Sequence, residues 1–118
     1  MIIDAGVFIG LNNPAQREVI VALIQRLHDR EATLHTTETV LAQAWRNPAR
    51  QVAMTRLVKA MNLLPFGDAR AIGVRCAEAG TSDVVGASLA VWSTVLDETI
   101  LTTGPNDMAA LNARHVTL

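Results

Sequence analysis

Tyrosine is absent from this chain, and only four aromatic side chains occur: Phe8, Trp45, Phe66 and Trp92. That scarcity argues against the stacked aromatic platforms with which single-strand nucleic-acid binders hold bases. Cysteine is nearly absent too. The single Cys76 has no disulfide partner and no neighbour at metal-ligand spacing, so in its alanine-rich helical context it reads as a small buried hydrophobe. Lysine occurs once, at Lys59, against nine arginines, and the formal net charge is −1. Bulk charge therefore announces no nucleic-acid binder, and any such role needs a local basic surface. Half of the chain is hydrophobic, yet no apolar run approaches the roughly 18 residues that span a bilayer. No membrane span is expected, and without the basic and apolar stretches of a signal peptide the expected location is the cytoplasm.

What is present suits a single domain. The 118 residues have room for one hydrophobic core and for one site, so residues 1–118 are read as one unit. "MIID" is an apolar run that starts at Met1 and ends on the carboxylate of Asp4. It reads as a buried strand feeding a loop or a short helical turn. From Pro14 to Arg30, apolar residues at Val19, Ile20, Leu23, Ile24 and Leu27 recur at helical spacing behind a well-placed proline. Ala32–His35 is a short strand candidate, and Thr36 or Thr37 offers an N-cap for a helix through Arg46. Asn47 and Pro48 break that helix, and another runs to about Asn62. "LLPF" is a brief extended piece. Gly67 and Asp68 open a helix that closes at Gly80, and Thr81 and Ser82 cap the next one, through about Val95. Thr99–Thr103 is a β-branched strand, "GPND" a turn before a short helix, and "HVTL" a last strand. Strands alternating with helices imply an α/β fold, with a mostly parallel sheet covered by helices on both faces.

In such sheets, sites gather beyond the carboxyl ends of the strands. Asp4 ends the first strand, Asp107 follows the strand Thr99–Thr103, and Asp83 starts a helix that can face the same crevice. Three carboxylates converging there suit Mg²⁺ or Mn²⁺, hard ions that take oxygen ligands and keep positions open for phosphate. Spacing alone favours the plainer reading, in which Asp83 and Asp107 do no more than support helix N-termini. Gly86, one turn after Asp83 inside a helix, costs about 1 kcal/mol relative to alanine and needs a reason.

Four segments carry a resemblance. "MIIDAGVFIGL", "TVLAQAWRNPARQ", "GTSDVVGASLA" and "ILTTGPNDMAAL" resemble, in this order and at similar spacing, segments of PIN-domain proteins, above all the VapC-type toxin ribonucleases. The resemblance implies an α/β/α sandwich in which an acidic cluster holds Mg²⁺ or Mn²⁺ for cutting RNA. It also implies a small VapB-type antitoxin as partner and a homodimer. In that chemistry metal ions lower the pKa of bound water, aim it at phosphorus and neutralise the leaving oxygen. Asp4 matches a principal ligand. The acidic position of the second motif holds Gln43, whose amide oxygen can still orient a ligand, and the two other acidic positions hold Gly86 and Gly104. Asp83 and Asp107 match neighbouring acids, three residues before Gly86 and three after Gly104, and are the substitutes within reach. Catalytic and metal-binding roles are thus expected of Asp4, Asp83 and Asp107 at a depleted site.

Other residues have two readings each. Thr102 and Thr103 can bond a phosphate or an aspartate at the strand end, with Thr103 foremost as a ligand-orienting residue beside Gln43, or serve β-propensity alone. Arg46, Arg50, Arg56 and Lys59 form either an RNA-phosphate contact, with Arg46 and Arg50 foremost, or a solvated helix face. Glu38 in a first helical turn favours the dipole. His28, His35 and His115 have no ligand-like spacing. Trp45 and Trp92 read as core, with a protein interface as the alternative for Trp45. Two functions follow: a Mg²⁺-dependent endoribonuclease weakened at Gly86 and Gly104, or a non-catalytic module binding RNA, an antitoxin or itself.

Overall fold

The computed structural model describes the backbone of residues 1–118 and every side chain except that of Arg50. Strands β1 (Ile2–Ile3), β2 (His35–Thr37), β3 (Asn62–Leu64), β4 (Ile100–Thr102) and β5 (His115–Thr117) form one sheet in the order β3-β2-β1-β4-β5. All four pairings are parallel. Every residue of β1, β2 and β4 is buried, while the edge strands β3 and β5 are largely exposed. Central strands buried on both faces require helices on both sides, which is why they read as unbroken apolar or threonine runs rather than alternating ones.

The helices are α1 (Ala5–Gly10), α2 (Pro14–Asp29), α3 (Glu38–Ala44), α4 (Val52–Lys59), α5 (Ala69–Ala79), α6 (Val84–Leu96) and α7 (Pro105–Ala110), with a 3-10 turn at Pro48–Arg50. Helix α1 packs on α2 and α3, and α6 packs on α5 and α7. Phe8, Ile20, Val40, Ile72, Leu89 and Met108 drive these faces into one core around Ile2, Ile3 and Ile100. Among the described residues, no helix is long and apolar enough to cross a membrane.

Local chemistry sets most boundaries. Asn13 and Asp68 cap α2 and α5 through their side-chain oxygens, and Gly80 ends α5 in the left-handed region, at φ 66°. Three expectations are corrected. The second strand begins at His35 and includes Thr36 and Thr37, because Thr36 Oγ1 ties it to the Ile3 carbonyl while Thr37 also caps α3. Helix α3 stops at Ala44 rather than Arg46, and α4 starts only at Val52, after the 3-10 turn that Asn47 caps. The cap of α6 is Asp83 itself, not Thr81 or Ser82; Thr81 Oγ1 instead accepts from the Asp83 amide.

Candidate active site

The strand order reverses direction at β1, with β2 and β3 on one side and β4 and β5 on the other. Crevices open beyond the carboxyl ends of strands at such a point. Asp4 follows β1 there, and Thr102 ends the neighbouring β4. The Asp4 amide donates to the Leu101 carbonyl at 3.0 Å, which fixes the Asp4 backbone to the sheet. Its side chain then receives two bonds. Oδ1 accepts from the Ala5 amide at 2.6 Å, capping α1, and Oδ2 accepts from Thr102 Oγ1 at 2.7 Å.

Thr102 is fully buried, and its hydroxyl oxygen also accepts from the Gly104 amide at 2.9 Å. A relay therefore runs from the turn at Gly104 through Thr102 to Asp4. Burial pushes the Asp4 carboxyl above the usual carboxylate range. The hydrogen bonds from Thr102 and Ala5 pull it down, and the negative charges of Asp83 and Asp107 push it up. The charges of Asp83 and Asp107 thus reach Asp4 at this end of the sheet, as the smallest of the influences on it.

Asp83 and Asp107 are exposed. Asp83 Oδ1 accepts from the Gly86 amide at 3.0 Å, the N-cap bond of α6. A Cβ at Gly86 would stand 2.5 Å from Asp83 Oδ2 and 3.2 Å from Leu111 Cδ1. The missing side chain at position 86 is thus replaced in space by the Asp83 carboxylate and by the end of α7. A Cβ at Gly104 would stand 3.3 Å from Asp107 Oδ2. Each hollow left by a glycine borders the carboxylate three residues away.

Carboxylate oxygens have the right chemistry for Mg²⁺ or Mn²⁺. Their placement is another matter. Among the described residues, no group of three Asp, Glu, His or Cys side chains could hold a metal ion. Both Asp4 oxygens already have donors, and Asp83 spends one oxygen on its own helix. As placed, the acids do not fit a shared divalent ion.

Gln43 is exposed on α3, and its backbone carbonyl accepts from Arg46 Nε at 2.7 Å. Thr103 is exposed with its hydroxyl over Gly6, where a built Cβ would collide with Oγ1. Of the two threonines, Thr102 is the one that bonds to Asp4, whereas Thr103, expected to orient a ligand, lies against Gly6. Arg46 is exposed, and the side chain of Arg50 lies outside the described residues. Trp45 is 40% exposed and thus not a core residue, because α3 ends before it and it forms the C-cap. Cys76 is buried as expected, and Glu38 lies in the first turn of α3.

No family model and no curated protein sequence matches the chain. Among solved structures, that of FitAB bound to an IR36 DNA fragment matches with a TM-score of 0.72 and 14% sequence identity, over 98% of this chain and 93% of that chain. The fold is α/β and PIN-like, with a parallel central sheet between helices.

Proposed function

We propose that this chain is a PIN-fold protein of the VapC toxin type in which metal-dependent RNA cleavage is weakened, so that binding outlasts cutting. Its partners on this reading are RNA, a small VapB-type antitoxin and a second copy of itself. Support comes from the four family-like segments in order and from the fold shared with FitAB, whose structure is in complex with DNA. The observation that carries the weakened site is the Asp83 carboxylate, which caps α6 and borders the hollow at Gly86. Losing ligating carboxylates costs at least the 10- to 100-fold typical of changes one shell further out.

The test compares cleavage of a structured RNA with Mg²⁺ or Mn²⁺ by the natural chain and by the double variant Gly86→Asp, Gly104→Asp. Little cutting by the natural chain and metal-dependent cutting by the variant are expected, with Asp4→Ala abolishing the gain. Calorimetry with MnCl₂ should show tighter binding by the variant. If the variant neither binds Mn²⁺ nor cuts, the view of Gly86 and Gly104 as lost ligand positions fails.

A second reading is residual ribonuclease activity through Asp4, Asp83 and Asp107, with Gln43 and Thr103 orienting the ligand. The negative charges of Asp83 and Asp107 that reach Asp4 favour it, since neighbouring carboxylates draw a cation. Cleavage by the natural chain that disappears in Asp4→Ala would select this reading.

A further inference from the structure

Helix α5 carries two charges set against its own dipole. Arg70 stands in its first turn and Glu78 in its last, so a cation lies at the positive end of the helix and an anion at the negative end. Elsewhere in the chain the favourable order holds, with Glu38 in the first turn of α3 and Arg56 and Lys59 in the last turn of α4. Both Arg70 and Glu78 are exposed, and among the described residues neither forms an ion pair. Their placement serves neither α5 nor a neighbour within the chain.

Between these charges the outer side of α5 is apolar. Arg70, Val74 and Glu78 follow one another at intervals of four residues and so share a face. Val74 is 58% exposed, and Gly73 and Ala77 beside it are exposed as well. A Cβ built on Gly73 meets nothing within 4 Å. A glycine in mid-helix weakens the helix relative to alanine, and nothing in this chain requires one there.

The charge pattern of this face is complementary to itself. We infer that α5 docks antiparallel against α5 of a second copy of the chain, about a two-fold axis at Val74. Arg70 then stands opposite Glu78 of the second copy, each about 6 Å along the helix from the axis, and the symmetry repeats the pair. Each charge also meets the helix end that suits it, Arg70 the negative end of the other α5 and Glu78 the positive one. Val74 packs on its own symmetry mate, and the missing side chain of Gly73 lets the two backbones come close. The inference rests on the reading of a second copy as partner and adds the surface that copy uses. Asp4, Asp83 and Asp107 take no part in it. One helix pair lies at the low end of stable interface sizes, so the association is weak and dilution reverses it.

Sedimentation equilibrium of the full chain, from micromolar to millimolar concentration, should show a monomer and dimer in exchange, with less dimer as salt rises. Arg70→Glu and Glu78→Arg each set like charges together twice in every dimer, and each should weaken self-association at least about tenfold. Both changes agree with the helix dipole, so neither should lower the melting temperature. Mixed in equal amounts, the two variants should associate with each other as the natural chain does with itself, because the mixed dimer restores both opposite pairs. Val74→Asp, at an exposed position on the axis, sets two carboxylates face to face and should abolish the dimer. If either charge reversal or Val74→Asp leaves self-association unchanged, or if the mixture of variants stays unassociated, this surface is overturned and the second copy docks by another face. A chain that is monomeric at every concentration overturns the surface and the second copy as partner together.

Discussion

Asp4 and Asp83 are carboxylates at the same end of the sheet, yet they are held by different means. Asp4 is half-buried, its amide is bonded to a central strand, and each of its oxygens has a donor from a different segment. Asp83 is exposed and answers first to its own helix, through the bond to the Gly86 amide. A carboxylate fixed by the strand framework cannot wander when a neighbour changes. One that stands at the N-cap of a helix serves that helix as soon as nothing competes for it. The strand-borne acid is therefore held from two segments, while the helix-borne one is held by the turn that contains Gly86.

The sharpest way to break this contrast is Thr102→Val, which leaves Asp4 Oδ2 and the Gly104 amide without their shared partner. A loss of about 1–2 kcal/mol in urea denaturation is expected, the cost of leaving two half-buried polar groups without their partner. Asp4→Asn should act in the opposite direction. Burial raises the Asp4 carboxyl, so the folded state holds that proton more tightly than the unfolded chain. That stabilising contribution is complete below the unfolded carboxylate range and is lost as pH rises through the raised value. At neutral pH the ionised group costs stability, and Asp4→Asn should raise the melting temperature there. Melts against pH should show this advantage fading towards pH 3, and an advantage that grows on acidification would contradict the assignment.

On the helix side, Gly86→Ala tests whether Asp83 is displaced. The new methyl group meets Asp83 Oδ2 and Leu111, so the lost cap and crowding outweigh the gain in helix propensity, with a net loss of about 0.5–1 kcal/mol. Gly104→Ala should change stability by less than about 0.5 kcal/mol. Its φ is −118°, open to any residue, and the nearest contact of the new carbon is 3.3 Å. Equal effects at the two glycines would erase the distinction between the hollows.

Much of this was legible in the sequence, and the exceptions have physical causes. An apolar run ending on a carboxylate places Asp4 at a strand end without any tertiary information. Pro14, Asp68 and Gly80 mark helix ends because their backbone preferences are local. The start of β2 was not legible, since threonine serves a strand and a helix cap equally well and only the bond from Thr36 to Ile3 decides. The choice between Thr102 and Thr103 depends on the register of β4 against β1, which alternation alone does not supply. The exposure of Trp45 follows from a helix that ends early, and boundaries are what sequence patterns define least well. The capping bond of Asp83 was foreseen only as an alternative to metal binding, because one spacing permits both.

Gly6 extends the consequence of this packing beyond the acids. The hydroxyl of Thr103 rests where a side chain at position 6 would begin, so the first turn of α1 and the turn after β4 touch without any intervening atom. Two segments from opposite ends of the chain are thereby fixed in height against each other. Any side chain introduced at Gly6 must turn the Thr103 hydroxyl aside and press on its Cβ, 3.2 Å from the new carbon, one residue from the Thr102 hydroxyl that holds Asp4. The close approach of these two segments beside Asp4 thus rests on a residue whose contribution is to take up no space.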